Sequence, residues 1–193
     1  LIITGDTLQP SSGNNISVPN GMGISVSNTE VLEIGSTGII AQQPYWNIVD
    51  QKASGTVSGT FTASAWQTRT LNTTIGSNTI TDSSLSSNRF TLPSGTYRIF
   101  ATAPAYTVNR HKAKLRNITD SSDTLIGTSE YTAPASATTC SLIKGIFTIS
   151  FSKTFEIQHQ CQTTSTGTTG FGVESNLGVV EIYTIVELWK LGN

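Results

Sequence analysis

Apolar and polar residues alternate with a period of two along much of this chain, and nowhere is the spacing of an amphipathic helix sustained. The clearest stretch is residues 179–191. There Val180, Ile182, Thr184, Val186 and Leu188 fall on one side, and Glu181, Tyr183, Ile185, Glu187 and Trp189 on the other. Residues 96–106 repeat the pattern, with Tyr97, Ile99, Ala101 and Ala103 opposite Arg98, Phe100 and Thr102. Successive side chains of a strand point to opposite faces, so both stretches are half-buried strands. Further strands are predicted at 111–117, where Lys112, Lys114 and Arg116 alternate with Ala113 and Leu115, and at 124–131, 139–150 and 154–163. Residues 55–66 (Val57, Phe61, Trp66), 79–81 and 88–92 give weaker signals. Between them lie turns such as Pro93-Ser94-Gly95, Asp120-Ser121-Ser122-Asp123 and Ala133-Pro134-Ala135. Short strands with turns every ~8–12 residues define an all-β sandwich or barrel without a long helix.

The first 43 residues read differently. Short apolar pieces (Ile16-Ser17-Val18, Ile24-Ser25-Val26, Ile39-Ile40) are separated by Gly/Asn/Ser turns, and each is too short to pack a core alone. Copies of such a segment from neighbouring chains would stabilise it. Gln42-Gln43-Pro44-Tyr45-Trp46 reads as a seam whose aromatics seal the base of a globular unit. The expected division is a β-rich stalk or linker segment at 1–43 and a head domain at 44–193.

Composition agrees with this picture and excludes several functions. Charged residues make up only 12% of the 193, and Ser, Thr, Gly and Asn supply the polarity instead. A net charge of -1 gives no electrostatic footprint for nucleic acid, and no apolar run approaches a membrane span. Cys140 and Cys161 are predicted to face each other across a hairpin of residues 139–150 and 154–163, as two buried thiols or as a disulfide. Sequons at Asn15, Asn72 and Asn117 are chance matches in so Asn/Ser/Thr-rich a chain.

No catalytic constellation emerges, and no cofactor or metal is expected. His111 and His159 have no Cys or His at zinc-ligand spacing. Asp120 and Asp123 flank a turn that Asx hydrogen bonding explains. Glu181 and Glu187 would stand roughly 20 Å apart on one strand, too far for a glycosidase pair at roughly 5–9.5 Å. The Gly-rich 167–172 has no lysine and no following helix, so it is not a phosphate loop. Binding is the better expectation. If the chain enters at the base and the last strand returns there, the turns at 107–110, 132–138 and 165–176 gather at the tip. Those at 119–123 and 151–153 gather at the base. The tip then offers Tyr106, Arg110, His111, Tyr131 and Phe171 as receptor-binding residues, of the types that dominate hot spots.

The run Leu92-Pro93-Ser94-Gly95-Thr96-Tyr97-Arg98-Ile99-Phe100-Ala101-Thr102-Ala103 resembles the strand that a Gly-x-Tyr opens in tumour-necrosis-factor and complement-globular-head jelly rolls. Lys114-Leu115-Arg116-Asn117, Leu125-Ile126-Gly127-Thr128-Ser129, Ile146-Phe147-Thr148-Ile149 and Phe155-Glu156-Ile157-Gln158 resemble phage fibre heads of that fold, and residues 182–189 its closing strand. The resemblance implies a homotrimer of jelly-roll β-sandwiches at the end of a stalk, without enzymatic activity. It further implies a virion tail-fibre or spike head that meets a host-surface glycan or protein. Its N-terminal segment would join other virion proteins, and the chain would be extracellular when free. A capsid decoration protein with a structural or adhesive role is the second reading. A secreted trimeric ligand of the complement-head or cytokine type is the third, against which stands the absence of Gly-X-Y repeats before the head.

Overall fold

The structure, a computed structural model, describes residues 43–133, 137–165 and 167–192; the expected stalk, apart from residue 43, lies outside them. Eleven strands stand in chain order among these residues: β1 (Tyr45–Lys52), β2 (Gln67–Thr68), β3 (Thr73–Ile75), β4 (Ser84–Ser86), β5 (Arg89–Leu92), β6 (Gly95–Tyr106), β7 (Asn109–Asn117), β8 (Ser122–Thr132), β9 (Thr138–Ile149), β10 (Lys153–Cys161) and β11 (Glu181–Gly192). They form two antiparallel sheets. The first has the order β3-β1-β11-β6-β9; the second has β4-β5-β10-β7-β8, with β2 paired to β10. The all-β sandwich expected from the alternation is therefore present.

The strongest alternations become the longest strands. On β6, Tyr97, Ile99, Ala101 and Ala103 are buried, and on β11 Thr184, Val186 and Leu188 are. Val180 and Ile182, expected on that same buried face, are exposed. The register between β1 and β11 shifts at Val49/Gln51, which turns the start of β11 over.

Residues 79–81, expected as a short strand, belong to none, the Ile80 amide donating to the Asn78 side chain instead; three further expectations fail for identifiable reasons. Residues 53–66 contain no strand; Gly55 and Gly59 take positive φ, and Phe61 plugs the interior from a loop. The seam at Tyr45 is a strand, β1, whose inward side chains Trp46 and Ile48 are buried. Most consequentially, β9 and β10 do not pair. The chain crosses at 150–152 from the first sheet to the second, so these strands form an arch. Cys140 consequently lies opposite Pro104 and is exposed, whereas Cys161 lies opposite His111 and is buried; both are free thiols.

An aromatic path runs through the main core and ties the sheets together. Trp46 meets Phe90 edge-on at 6.5 Å, Phe90 stacks on Phe155 at 5.8 Å, and Phe155 meets Phe147 at 5.4 Å, which stacks on Tyr97 at 5.7 Å. The long edges β8 and β9 are also stitched. The Ser141 hydroxyl donates to the Thr128 carbonyl (2.8 Å), and the Leu142 amide donates to Thr128 Oγ1 (2.9 Å). Gly127 permits this approach, because a Cβ there would sit 2.8 Å from the Ala113 carbonyl oxygen and 2.9 Å from Ser141 Oγ.

Phe155 touches aromatic rings from both sheets, so Phe155→Ala should cost about 3–5 kcal/mol. Urea unfolding followed by tryptophan fluorescence measures this, and a loss below about 1 kcal/mol would show that the path is not a core element.

Candidate functional site

The ends of the sandwich differ, and strand parity predicts which turns meet. Tyr45 pairs with Trp189 and Gly95 with Ile149, while the Ile118 amide donates to the Thr154 carbonyl; this is the base. At the opposite end Tyr106 N donates to Gly170 O, Thr107 N to Ala137 O and Thr163 N to Val108 O, joining the loops that follow β6, β8 and β10. Thr107 and Asn109 turn the chain there with φ of 54° and 60°, unusual for a β-branched residue such as Thr107.

Beneath this tip lies a second, smaller core of Phe61, Ala105, Val108 and Cys161, packed against Phe171. Its polar members are notable. Arg69 is fully buried. Its Nε donates to Thr184 Oγ1 (2.7 Å), Nη1 to the Pro104 carbonyl (3.2 Å) and Nη2 to the Phe171 carbonyl (2.9 Å), and its guanidinium lies 4.2 Å from the Phe171 ring centroid. Burial pushes its pKa down to about 9, so it stays charged at neutral pH. Gly172 lets the same loop lie on β11: its φ is 142°, and a Cβ there would meet Tyr183 Cδ1 at 2.5 Å.

The two histidines form a buried pair. His111 Nδ1 and His159 Nε2 are 2.9 Å apart, and His111 Nε2 is 2.8 Å from Thr139 Oγ1; His159 Nδ1 has no partner among the described residues. Phe61 packs on His159 at 4.7 Å. Burial pushes His111 down to about 4, with Glu130 opposing and Arg69 reinforcing, and burial, Arg69 and His111 together hold His159 well below its usual range.

Of the predicted tip residues, Arg110 and Tyr131 come together as exposed neighbours across β7 and β8. His111, expected at the surface, points inward because it alternates with Arg110 and Lys112. Phe171 serves the small core, 4.4 Å from Phe61. Tyr106 stands at the end of β6 opposite Thr138, on the other sheet. The Asn117 sequon is structural, since its side chain is buried and bonded to Asp120. Glu181 is likewise a loop anchor. Its carboxylate accepts from the amides of Ser175, Gly55 and Asn176 and from the Ser175 hydroxyl, which holds its pKa down to about 2.

Two surfaces remain beside the tip. The outer face of the second sheet carries a groove of about 580 Å³ that includes Trp66, Arg110, Lys112, Tyr131, Gln160 and Gln162. The outer face of the first sheet is more apolar. Ile185, Thr102 and Leu142 form one row across β11, β6 and β9, Glu187, Phe100 and Lys144 the next, and Trp189, Arg98 and Ile146 a third. A hollow of about 510 Å³ opens there around Phe100, Ile146 and Trp189. Among the described residues no group of three His, Cys, Asp or Glu side chains is arranged to hold a metal ion.

The sequence matches no protein-family model and no curated protein. In three dimensions the chain is similar to the globular domain of zebrafish complement 1qA protein, at 12% identity and a TM-score of 0.50, over 78% of this chain and 98% of that one. Murine APRIL at pH 5.0 aligns at 8% identity and a TM-score of 0.48, over 78% of this chain and all of that one. The strand order and the complement likeness together define the fold as a jelly roll of the complement-head type.

The buried histidines make stability pH-dependent. Their pKa values are lower in the folded chain than the 6.5 of an ordinary histidine, so the unfolded chain binds more protons as pH falls. Stability should be complete above pH ~6.5 and drain toward pH ~4, by up to about 1.4 kcal/mol per pH unit for each histidine. Urea midpoints at pH 7.5 and pH 5 test this; His159→Gln should flatten the difference. Arg69→Ala strands two buried acceptors and a part-buried one and should cost about 3 kcal/mol or more by the same assay.

Proposed function

We propose that this chain is a non-catalytic recognition head that works as a homotrimer. The observation that carries the reading is the outer face of the first sheet. An antiparallel sheet commonly turns a polar face to water, yet here Phe100, Leu142, Ile146, Ile185 and Trp189 share the outward side of three adjacent strands, β11, β6 and the edge strand β9. Ile146 is 61% exposed in the single chain. The polar groups among them are partly matched already. Tyr45 Oη donates to Glu187 (2.6 Å), and the Arg98 guanidinium lies 5.4 Å from the Trp189 ring. A face of this kind is removed from water by copies of itself arranged around an axis, and the tip then points away from the base where Tyr45 enters.

Two settings suit such a head. The likeness to a complement globular domain supports a secreted trimeric ligand. The virion fibre or spike head is favoured by a different observation: the Gly/Asn/Ser-punctuated short apolar pieces of residues 1–43, which contain no Gly-X-Y repeat. Both settings share the trimer and the tip-directed binding surface. Antibody labelling of particles against labelling of cell secretions separates them.

Trimerisation has a direct test. The purified chain should sediment with the mass of three copies. Phe100→Glu together with Ile146→Glu should raise the dissociation constant by about a hundredfold or more, roughly 3 kcal/mol. The variant should keep its β-sheet circular dichroism. A wild-type chain that sediments as a single copy at micromolar concentration overturns the proposal.

A further inference from the structure

We propose that the groove on the outer face of the second sheet binds a saccharide bearing a carboxylate; this deepens the recognition-head reading and rests on it. The groove is built by strand register. Tyr131, on β8, stands opposite Arg110 on β7, and the Gln162 amide donates to the Arg110 carbonyl (2.7 Å), so these three form one row. Ser129, Lys112 and Gln160 form the next row across the same strands. Side chains of paired residues share a face, so cations, amides and an aromatic ring project together. Trp66 closes the groove from the loop before β2. Its ring is steadied from below by the Lys114 ammonium, 4.0 Å from the centroid, and Lys114 is itself held by Asp123 at 2.9 Å.

Each component has a chemical use. Tyr131 and Trp66 are 56% and 38% exposed, well above what a ring buried in a core would show. Ring faces of this kind pack against the C–H face of a pyranose, while amide side chains such as those of Gln160 and Gln162 both donate to and accept from hydroxyls. Arg110 and Lys112 form no ion pair among the described residues; Arg110 bonds only to the neutral Gln162 side chain, at 3.1 Å. The one lining carboxylate, Glu130, stands opposite the inward-facing His111 and accepts from Thr128 Oγ1 at 2.6 Å. Two unpaired cations beside two aromatic faces therefore select an anion joined to an apolar ring face. The groove volume suits a ligand of one to three sugar units, within the range of roughly 300–1,000 Å³ usual for small-molecule sites. The groove also faces away from the sheet assigned to the trimer contact, so three copies remain open at once.

The test uses the whole chain with 3′-sialyllactose and trigalacturonic acid as probes, lactose as the neutral counterpart and inorganic phosphate as the anion without a sugar. Saturation-transfer NMR and tryptophan quenching read binding. The two acidic saccharides should bind at least about tenfold more tightly than lactose, with affinity falling as salt is raised. Arg110→Ala and Tyr131→Ala alter exposed side chains and should each weaken binding by about fivefold or more, with unchanged sedimentation. Trp66→Phe should weaken it less than either. Equal binding of lactose, phosphate competing as well as the saccharides, or unaltered binding by the Arg110 and Tyr131 variants would each overturn the inference. Failure here is distinguishable from failure of the recognition head: a trimer whose cell attachment survives Arg110→Ala and Tyr131→Ala keeps the head and loses the groove.

Discussion

One fully buried cation, Arg69, organises the tip of the sandwich. The Arg69 guanidinium makes no salt bridge among the described residues, although the buried Asp50 carboxylate favours its charge through space, and it is satisfied by a threonine hydroxyl on β11, a carbonyl on β6 and a carbonyl in the loop before β11. Its own amide donates to Ile157 on β10 in the opposite sheet. One residue therefore fixes the spacing of the two sheets at the tip and the path of the loop over it. Removing a charge from water is expensive, and it is tolerated only where every donor finds an acceptor. The histidine pair extends that demand, because two neutral imidazoles beside a guanidinium must stay unprotonated for the arrangement to hold.

With the tip fixed in this way, the two outer faces are free to differ. The face of β11, β6 and β9 is rich in aromatic and branched aliphatic side chains, and that of β8, β7 and β10 carries cations, amides and exposed rings. The same alternation that fills the core also sorts these outer residues, apolar on one sheet and polar on the other. This difference between the faces follows largely from register, with Trp66 added from the loop before β2.

Much of this was legible in the alternation of residues 96–106, 111–117 and 179–191, because half-buried strands announce themselves with a period of two. The arch between β9 and β10 was not, since a three-residue connection such as 150–152 serves a hairpin or a crossing equally well. Phe61 imitated a strand because an apolar plug in a loop has no period to betray it. Arg110 and Tyr131 were visible as aromatic and basic residues near turns. Lys112 and Gln160 join them only through pairing across three strands, and Trp66 only through the path of the loop before β2. The alternating Gln158 and Gln160 of β10, continued by Gln162 just beyond it, were the available sign of a polar outer face. Arg69 left no mark at all, since a lone arginine between threonines reads as surface.

The stitch between Thr128 and Ser141 has an effect beyond local order. Sheets are vulnerable where a strand leaves its amides and carbonyls open to a stranger. Here the two long borders, β8 and β9, are turned against each other, and the opposite borders are the three-residue β3 and β4. Little length is left for another chain to add itself by backbone pairing. Between the described sheets, contacts from one molecule to the next therefore fall to side chains more than to backbone pairing.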